Sequence, residues 1–124
     1  MLATRPSGRV LVVDDEAPLR AVICDLLISD GYVVDQAVNG EDAIIRMRSS
    51  PPGAIVLDLM MPVMDGRALV QAMRDDQLLT DIPFILVSAG LGLHEACTEL
   101  AAHACLSKPF EIDALLAAVH DLLP

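Results

Sequence analysis

Four short apolar runs each end in a side chain able to do chemistry on a phosphoryl group or a metal. Val10-Leu11-Val12-Val13 runs into Asp14-Asp15-Glu16, and Ala54-Ile55-Val56-Leu57 into Asp58. Phe84-Ile85-Leu86-Val87 stops at Ser88, while Cys105-Leu106-Ser107 delivers Lys108-Pro109-Phe110. An aspartate at the tip of a buried strand is costly unless something nearby needs its charge. Lys108 is the only lysine in the chain; the other seven cations are arginines. Carboxylates, a hydroxyl and one ammonium at strand tips make a site for a divalent metal and a phosphoryl group.

The elements that must position these groups follow from the apolar spacing. Strands are expected over Arg9–Val13, Val33–Ala37, Ala54–Leu57, Pro83–Val87 and Ala104–Ser107. Val10–Val13 and Phe84–Val87 are solidly apolar, which marks strands covered on both faces of a parallel sheet. Helical stripes lie between them: Leu19, Val22, Ile23, Leu26 and Leu27; Ala43, Ile44 and Met47; Leu69, Val70 and Met73; Ile112, Leu115, Leu116, Val119 and Leu122. A helix over Leu93–Ala102 fits the period through Leu93, Ala96, Cys97 and Leu100, although Gly90 and Gly92 weaken its start. Asp30-Gly31, Asn39-Gly40, Pro51-Pro52-Gly53 and Asp65-Gly66 punctuate the segments. Five βα units with right-handed crossovers imply a doubly wound α/β domain with a five-stranded parallel sheet and five helices. Such sheets bind ligands at the carboxyl ends of their strands, and every polar tip named above is a carboxyl end.

The 124 residues suffice for one domain with one core, and 54% hydrophobic against 21% charged excludes general disorder. A short flexible arm over residues 1–8 is expected to precede a domain over residues 9–124. The arm lacks the apolar centre of a secretion signal, and no run reaches the ~18 apolar residues of a membrane span, so a cytoplasmic protein is expected. The net charge of −10 and the scattered arginines argue against direct nucleic-acid binding. Cys24, Cys97 and Cys105 lack metal-site spacing and are expected to be reduced thiols inside helices or strands. His94, His103 and His120 are expected at the surface.

Together and in order, the islands Val13-Asp14-Asp15-Glu16, Asp58-Leu59-Met60-Met61-Pro62-Val63-Met64-Asp65-Gly66, Val87-Ser88-Ala89 and Ser107-Lys108-Pro109-Phe110 resemble the receiver domain of bacterial response regulators. The resemblance runs from about Arg9 to Leu123. It implies the flavodoxin-like strand order 2-1-3-4-5. It further implies that Asp58 is the phosphoacceptor, attacking the phosphohistidine of a sensor histidine kinase or phosphotransfer protein. Asp15 would be a direct Mg2+ (or Mn2+) ligand, Asp14 an acidic neighbour acting largely through metal-bound water, and Met60 the donor of a backbone carbonyl. Ser88 and Lys108 would bind phosphoryl oxygens, and the Lys108–Pro109 bond would be cis. Activity beyond slow self-phosphorylation and self-dephosphorylation is not expected. A downstream protein, or an effector domain outside this sequence, would be met through the last strand and its flanking helices.

Cys105 departs from the family pattern, since an aromatic residue usually stands three positions before the lysine and swings on phosphorylation. The switch is therefore expected in Ser88-Ala89-Gly90-Leu91-Gly92, whose glycines cheapen backbone motion. The final helix, Glu111–Leu123, has no Lys or Arg, which argues against dimerisation through charged contacts there. Two other functions compete. A receiver-like interaction module never using its aspartate would not need Asp14, Asp15, Asp58, Ser88 and Lys108 together. A phosphohydrolase of the dehalogenase type needs a second acid two residues after its nucleophile, where this chain has Met60.

Overall fold

In the computed structural model, which describes residues 8–124, strands and helices alternate without exception. The strands are β1 (Arg9–Val13), β2 (Val33–Ala37), β3 (Ala54–Asp58), β4 (Phe84–Ser88) and β5 (Ala104–Ser107). All pair in parallel in the order β2-β1-β3-β4-β5, the expected flavodoxin-like topology. The helices are α1 (Ala17–Ser29), α2 (Gly40–Ser49), α3 (Gly66–Arg74), α4 (Leu93–Leu100) and α5 (Ile112–Leu122). Residues 1–7, most of the expected arm, lie outside the described residues.

Alternation along the central strands explains their solid apolar runs. Leu11, Val13, Ile55, Leu57 and Leu86 face one core with α2, α3 and α4, including Met47, Leu69, Met73 and Leu100. Val10, Val12, Val56, Ile85 and Val87 face the other core with Ile23 and Leu27 of α1 and Leu115 and Val119 of α5. A side chain pointing either way from β1, β3 or β4 is thus removed from water, contributing about 1.5–3 kcal/mol for each large aliphatic. The Tyr32 hydroxyl donates to the Leu123 carbonyl at 2.9 Å, tying the end of α5 to the start of β2.

Several element ends differ from expectation. β3 extends to Asp58 and β4 to Ser88, because the Leu59 N–H donates to the Val87 carbonyl and continues the ladder. α4 stops at Leu100 because Ala101 turns left-handed at φ 57°, and the Ala102 N–H returns to the Cys97 carbonyl. Val22 and Ile112 are about half exposed rather than core residues. Their periodicity matches the core stripe, but both flank a surface groove between α1 and α5.

The expectation of three reduced thiols is corrected for two of them: Cys97 and Cys105 form a disulfide. The left-handed turn after α4 folds the chain back so that the helix packs over the edge strand, bringing the Cα atoms within 6.2 Å. Cys24 is free and buried, and burial pushes its thiol up to about 11. His94, His103 and His120 are exposed, as expected.

Candidate functional site

Strand register carries the four polar tips to one edge of the sheet. Val13 pairs with Leu57, so Asp14 and Asp58 follow side by side. Asp58 pairs with Val87, one residue before Ser88, and Ser88 pairs with Ser107, one residue before Lys108. With neighbouring strands ~4.8 Å apart, the tips converge by register alone. The Lys108 N–H donates to the Ser88 carbonyl at 2.9 Å, which ties the fourth tip to the third. The Lys108–Pro109 bond is cis.

Asp58 is 4% exposed, Asp14 2% and Ser88 1%, the only buried polar or charged side chains among the described residues. Asp14 Oδ1 accepts from the Glu16 N–H at 2.9 Å, and Asp58 Oδ1 accepts from the Met60 N–H at 3.1 Å. Lys108 Nζ stands 3.3 Å from each of Asp14 Oδ2, Glu16 Oε1 and Asp58 Oδ2. Ser88 Oγ accepts from the Gly90 N–H at 3.2 Å, leaving its own O–H to donate elsewhere.

Burial pushes the Asp58 carboxyl above its ordinary value; the Met60 N–H offsets part of that, Asp14 adds to it, and Lys108 opposes it. For Lys108, burial acts to lower the ammonium, but the negative charges of Asp14 and Asp58 outweigh it and hold the pKa above the usual lysine value. Lysine is therefore charged throughout the neutral range, as a counter-ion to the carboxylates must be.

Carboxylate oxygens of Asp14, Glu16 and Asp58 lie within 4.8 Å of one another. Facing one ammonium, that set is two charges negative in a largely buried place, which suits a hard divalent cation with oxygen ligands. Asp15, the ligand expected from the sequence, is exposed and stands outside this group. Glu16 was missed. Its cue was present, a third acid in succession after β1, but only contact with Lys108 distinguishes it from a solvated loop acid. Asp65 serves the fold instead, capping α3 by accepting from the Ala68 N–H at 2.9 Å.

The rim carries its own features. Gly66 has no room for a side chain, since a Cβ would lie 2.9 Å from Leu59 Cα and 3.0 Å from the Asp58 carbonyl oxygen. Val63 adopts φ 69°, unusual for a β-branched residue, within a tight turn closed by the Met64 N–H on the Pro62 carbonyl. Beside Lys108, an apolar groove of about 480 Å³ is lined by Glu16, Leu19, Val22, Phe110 and Ile112.

Residues 10–120 match the family model of the response regulator receiver domain. The chain belongs to the response regulator receiver family. This receiver is 38% identical over 120 residues to a probable transcriptional regulator ycf27 of Porphyra purpurea, covering 93% of the chain and 47% of the relative. It is 36% identical over 119 residues to the response regulator MprA of Mycobacterium ulcerans, covering 94% of the chain and 50% of that protein. The receiver thus spans about half the length of the curated relatives it matches. Its fold is similar to that of the chemotaxis response regulator CheY4 of Vibrio cholerae, with a TM-score of 0.83 at 27% identity, covering 92% of this chain and 97% of that one. It also resembles a putative response regulator from Chloroflexus aurantiacus, with a TM-score of 0.86 at 28% identity over 93% of this chain and 96% of the other. Response regulators act in two-component signalling rather than as conventional enzymes, and the acidic pocket fits a phosphoacceptor site. No helix among the described residues is long and apolar enough to cross a membrane.

Proposed function

We propose that this receiver is a phosphoaspartate switch: Asp58 takes a phosphoryl group from the phosphohistidine of a sensor histidine kinase or phosphotransfer protein, and the change is relayed to a partner. The observation that carries this reading is the Lys108 ammonium shared by Asp58, Asp14 and Glu16 at 3.3 Å. A compact cation on a flexible stem can follow charge as it moves from carboxylate to phosphoryl oxygens.

In the transfer, an Asp58 carboxylate oxygen attacks phosphorus from the side opposite the imidazole. The oxygen–phosphorus bond forms as the nitrogen–phosphorus bond breaks, and the electron pair leaves with the ring nitrogen. No general base is needed, because the nucleophile is already an anion. The Met60 N–H fixes the orientation of the Asp58 carboxylate. Lys108 then pairs with the new phosphoryl oxygens, and the Ser88 O–H donates to another. Asp14, Asp58 and the Met60 carbonyl would hold Mg2+ or Mn2+, with Glu16 or Asp15 supplying the remaining acidic oxygen. When bound, the cation neutralises the clustered carboxylates and the oxygens of the group in transfer.

The apolar groove adjoins the site through Lys108 and Glu16, so donor docking is assigned there. The downstream protein, or an effector domain of a longer protein, is assigned to β5 and its flanking helices. Residues 9–124 form the receiver unit, acting in the cytoplasm without direct nucleic-acid contact. Reductive trapping tests the assignment: borohydride converts an aspartyl phosphate to homoserine, and peptide mapping is expected to find homoserine at position 58. A phosphoryl group trapped elsewhere contradicts the reading. Stable partner binding that is indifferent to phosphodonor would favour the unregulated interaction module.

A further inference from the structure

The Cys97–Cys105 disulfide joins α4 to β5, the edge strand, on the side of the sheet away from α1 and α5. Its Cα–Cα distance of 6.2 Å falls within the roughly 4.4–6.8 Å that disulfides span, so helix and strand already stand at bonding distance. The two cysteines differ in exposure. Cys105 is exposed on β5, whereas Cys97 is 7% exposed within the core packed under α4. α4 also begins where the Ser88–Gly92 loop ends, so anything that fixes α4 limits the far end of the loop carrying Ser88.

We propose that Cys97 and Cys105 are a reversible redox modification site, in which a hydroperoxide oxidises the dithiol and the resulting bond pins the last turn of α4 to β5. The thiolate of Cys105, the more exposed of the two residues, attacks a peroxide oxygen; the oxygen–oxygen bond breaks and the departing oxygen leaves as water or alcohol after taking a proton. Cys105 is then a sulfenic acid. The Cys97 sulfur attacks it, the sulfur–sulfur bond forms, the sulfur–oxygen bond breaks, and water leaves with the Cys97 proton. The return needs two equivalents of a low-molecular-weight thiol such as glutathione. The first attacks Cys105, breaking the disulfide and forming a mixed disulfide while Cys97 regains a proton; the second releases it as glutathione disulfide.

In a reducing compartment such a bond is transient and suited to sensing rather than to permanent stabilisation. Cys24 cannot substitute as a partner, being 2% exposed beneath α1 on the opposite face of the sheet. Forming and breaking this bond uses neither Asp58 nor a phosphodonor, so failure of one assignment leaves the other standing.

The test uses the full chain, reduced with dithiothreitol and then exposed to hydrogen peroxide, with thiols alkylated under denaturing conditions and counted by intact mass. Three labels are expected on the reduced chain and one, on Cys24, after oxidation, with peptide mapping locating a Cys97–Cys105 cross-link that glutathione removes from the native protein. Hydrogen exchange at the last turn of α4 is expected to slow by about tenfold on oxidation. Cys105→Ser, an exposed change, abolishes both effects; Cys24→Ala preserves both. Unchanged label counts, a cross-link involving Cys24 or a second chain, a bond reducible only after unfolding, or equal exchange in both redox states overturns the proposal.

Discussion

Lys108 Nζ and Asp58 Oδ2 meet at 3.3 Å across fifty residues of chain, and their contact lies where β3 and β5 end on either side of β4. The pair is asymmetric in its consequences. Burial penalises the Asp58 charge more than its partners relieve it, whereas Lys108 gains more from Asp14 and Asp58 than burial takes away.

That asymmetry fixes the sign of a pH dependence. The folded-state pKa of Asp58 is raised, so the folded chain holds this proton at a higher pH than the unfolded chain does. The destabilisation is absent at low pH and develops as pH rises through the folded value. Lys108 is also raised, and its stabilising contribution is present below the ordinary lysine value and lost as pH rises through the folded value. Asp58→Asn is therefore expected to stabilise the metal-free chain at neutral pH. The gain should shrink toward acid pH, as measured by urea denaturation at several pH values. A neutral-pH loss of stability on this substitution contradicts the assigned balance.

Adding Mg2+ should reverse the ordering. A cation bound only by the folded chain stabilises it by about 2.7 kcal/mol at a hundredfold excess over Kd, and chelation removes the effect. Asp58→Asn should lose most of this shift. Glu16→Gln and Asp15→Asn separate the two candidates for the remaining acidic ligand, and the contacts of Glu16 with Lys108 and the cluster favour a larger loss for Glu16→Gln. Thermal melts across a metal titration make the comparison.

The loop between β3 and α3 gives a stability test independent of metal. Val63→Gly relieves a left-handed β-branched residue and should stabilise by about 1–2 kcal/mol. Gly66→Ala forces a Cβ against the backbone of Leu59 and Asp58 and should destabilise by about 1–3 kcal/mol. Because Gly66 presses on the residues beside the nucleophile, its variant should also slow phosphoryl uptake, while Val63→Gly leaves the carboxylate geometry in place. Denaturant midpoints and uptake rates measured on the same samples check both.

Val22 and Ile112, each about half exposed on the groove, should tolerate change to Glu with little loss of stability. If the groove receives the phosphodonor protein, charge there should slow transfer from a phosphohistidine protein by about tenfold, a penalty on the order of 1.4 kcal/mol. Transfer from a small phosphodonor should not change.

The sequence made the architecture readable because buried parallel strands are apolar on both faces and stop abruptly where a polar tip is needed. Asp58, Ser88 and Lys108 stood out for that reason, and the structure brings all three strand tips to one edge. Glu16 did not, because a loop acid has no periodic signature and its worth depends on a lysine ninety-two residues away. Val22 and Ile112 share the spacing of core residues, so periodicity could not separate a groove wall from a core. The Cys97–Cys105 bond was equally hidden: it depends on how α4 crosses the edge strand, which spacing along the chain does not encode.

Intact mass after incubation with acetyl phosphate and Mg2+ decides whether Asp58 is the nucleophile of a metal-assisted phosphoryl acceptor. The wild-type chain is expected to gain the mass of a single phosphoryl group, and Asp58→Asn or a chelated sample to gain none. Equal phosphorylation of Asp58→Asn, or no gain by a folded, metal-supplied wild type, rules out Asp58 as that nucleophile.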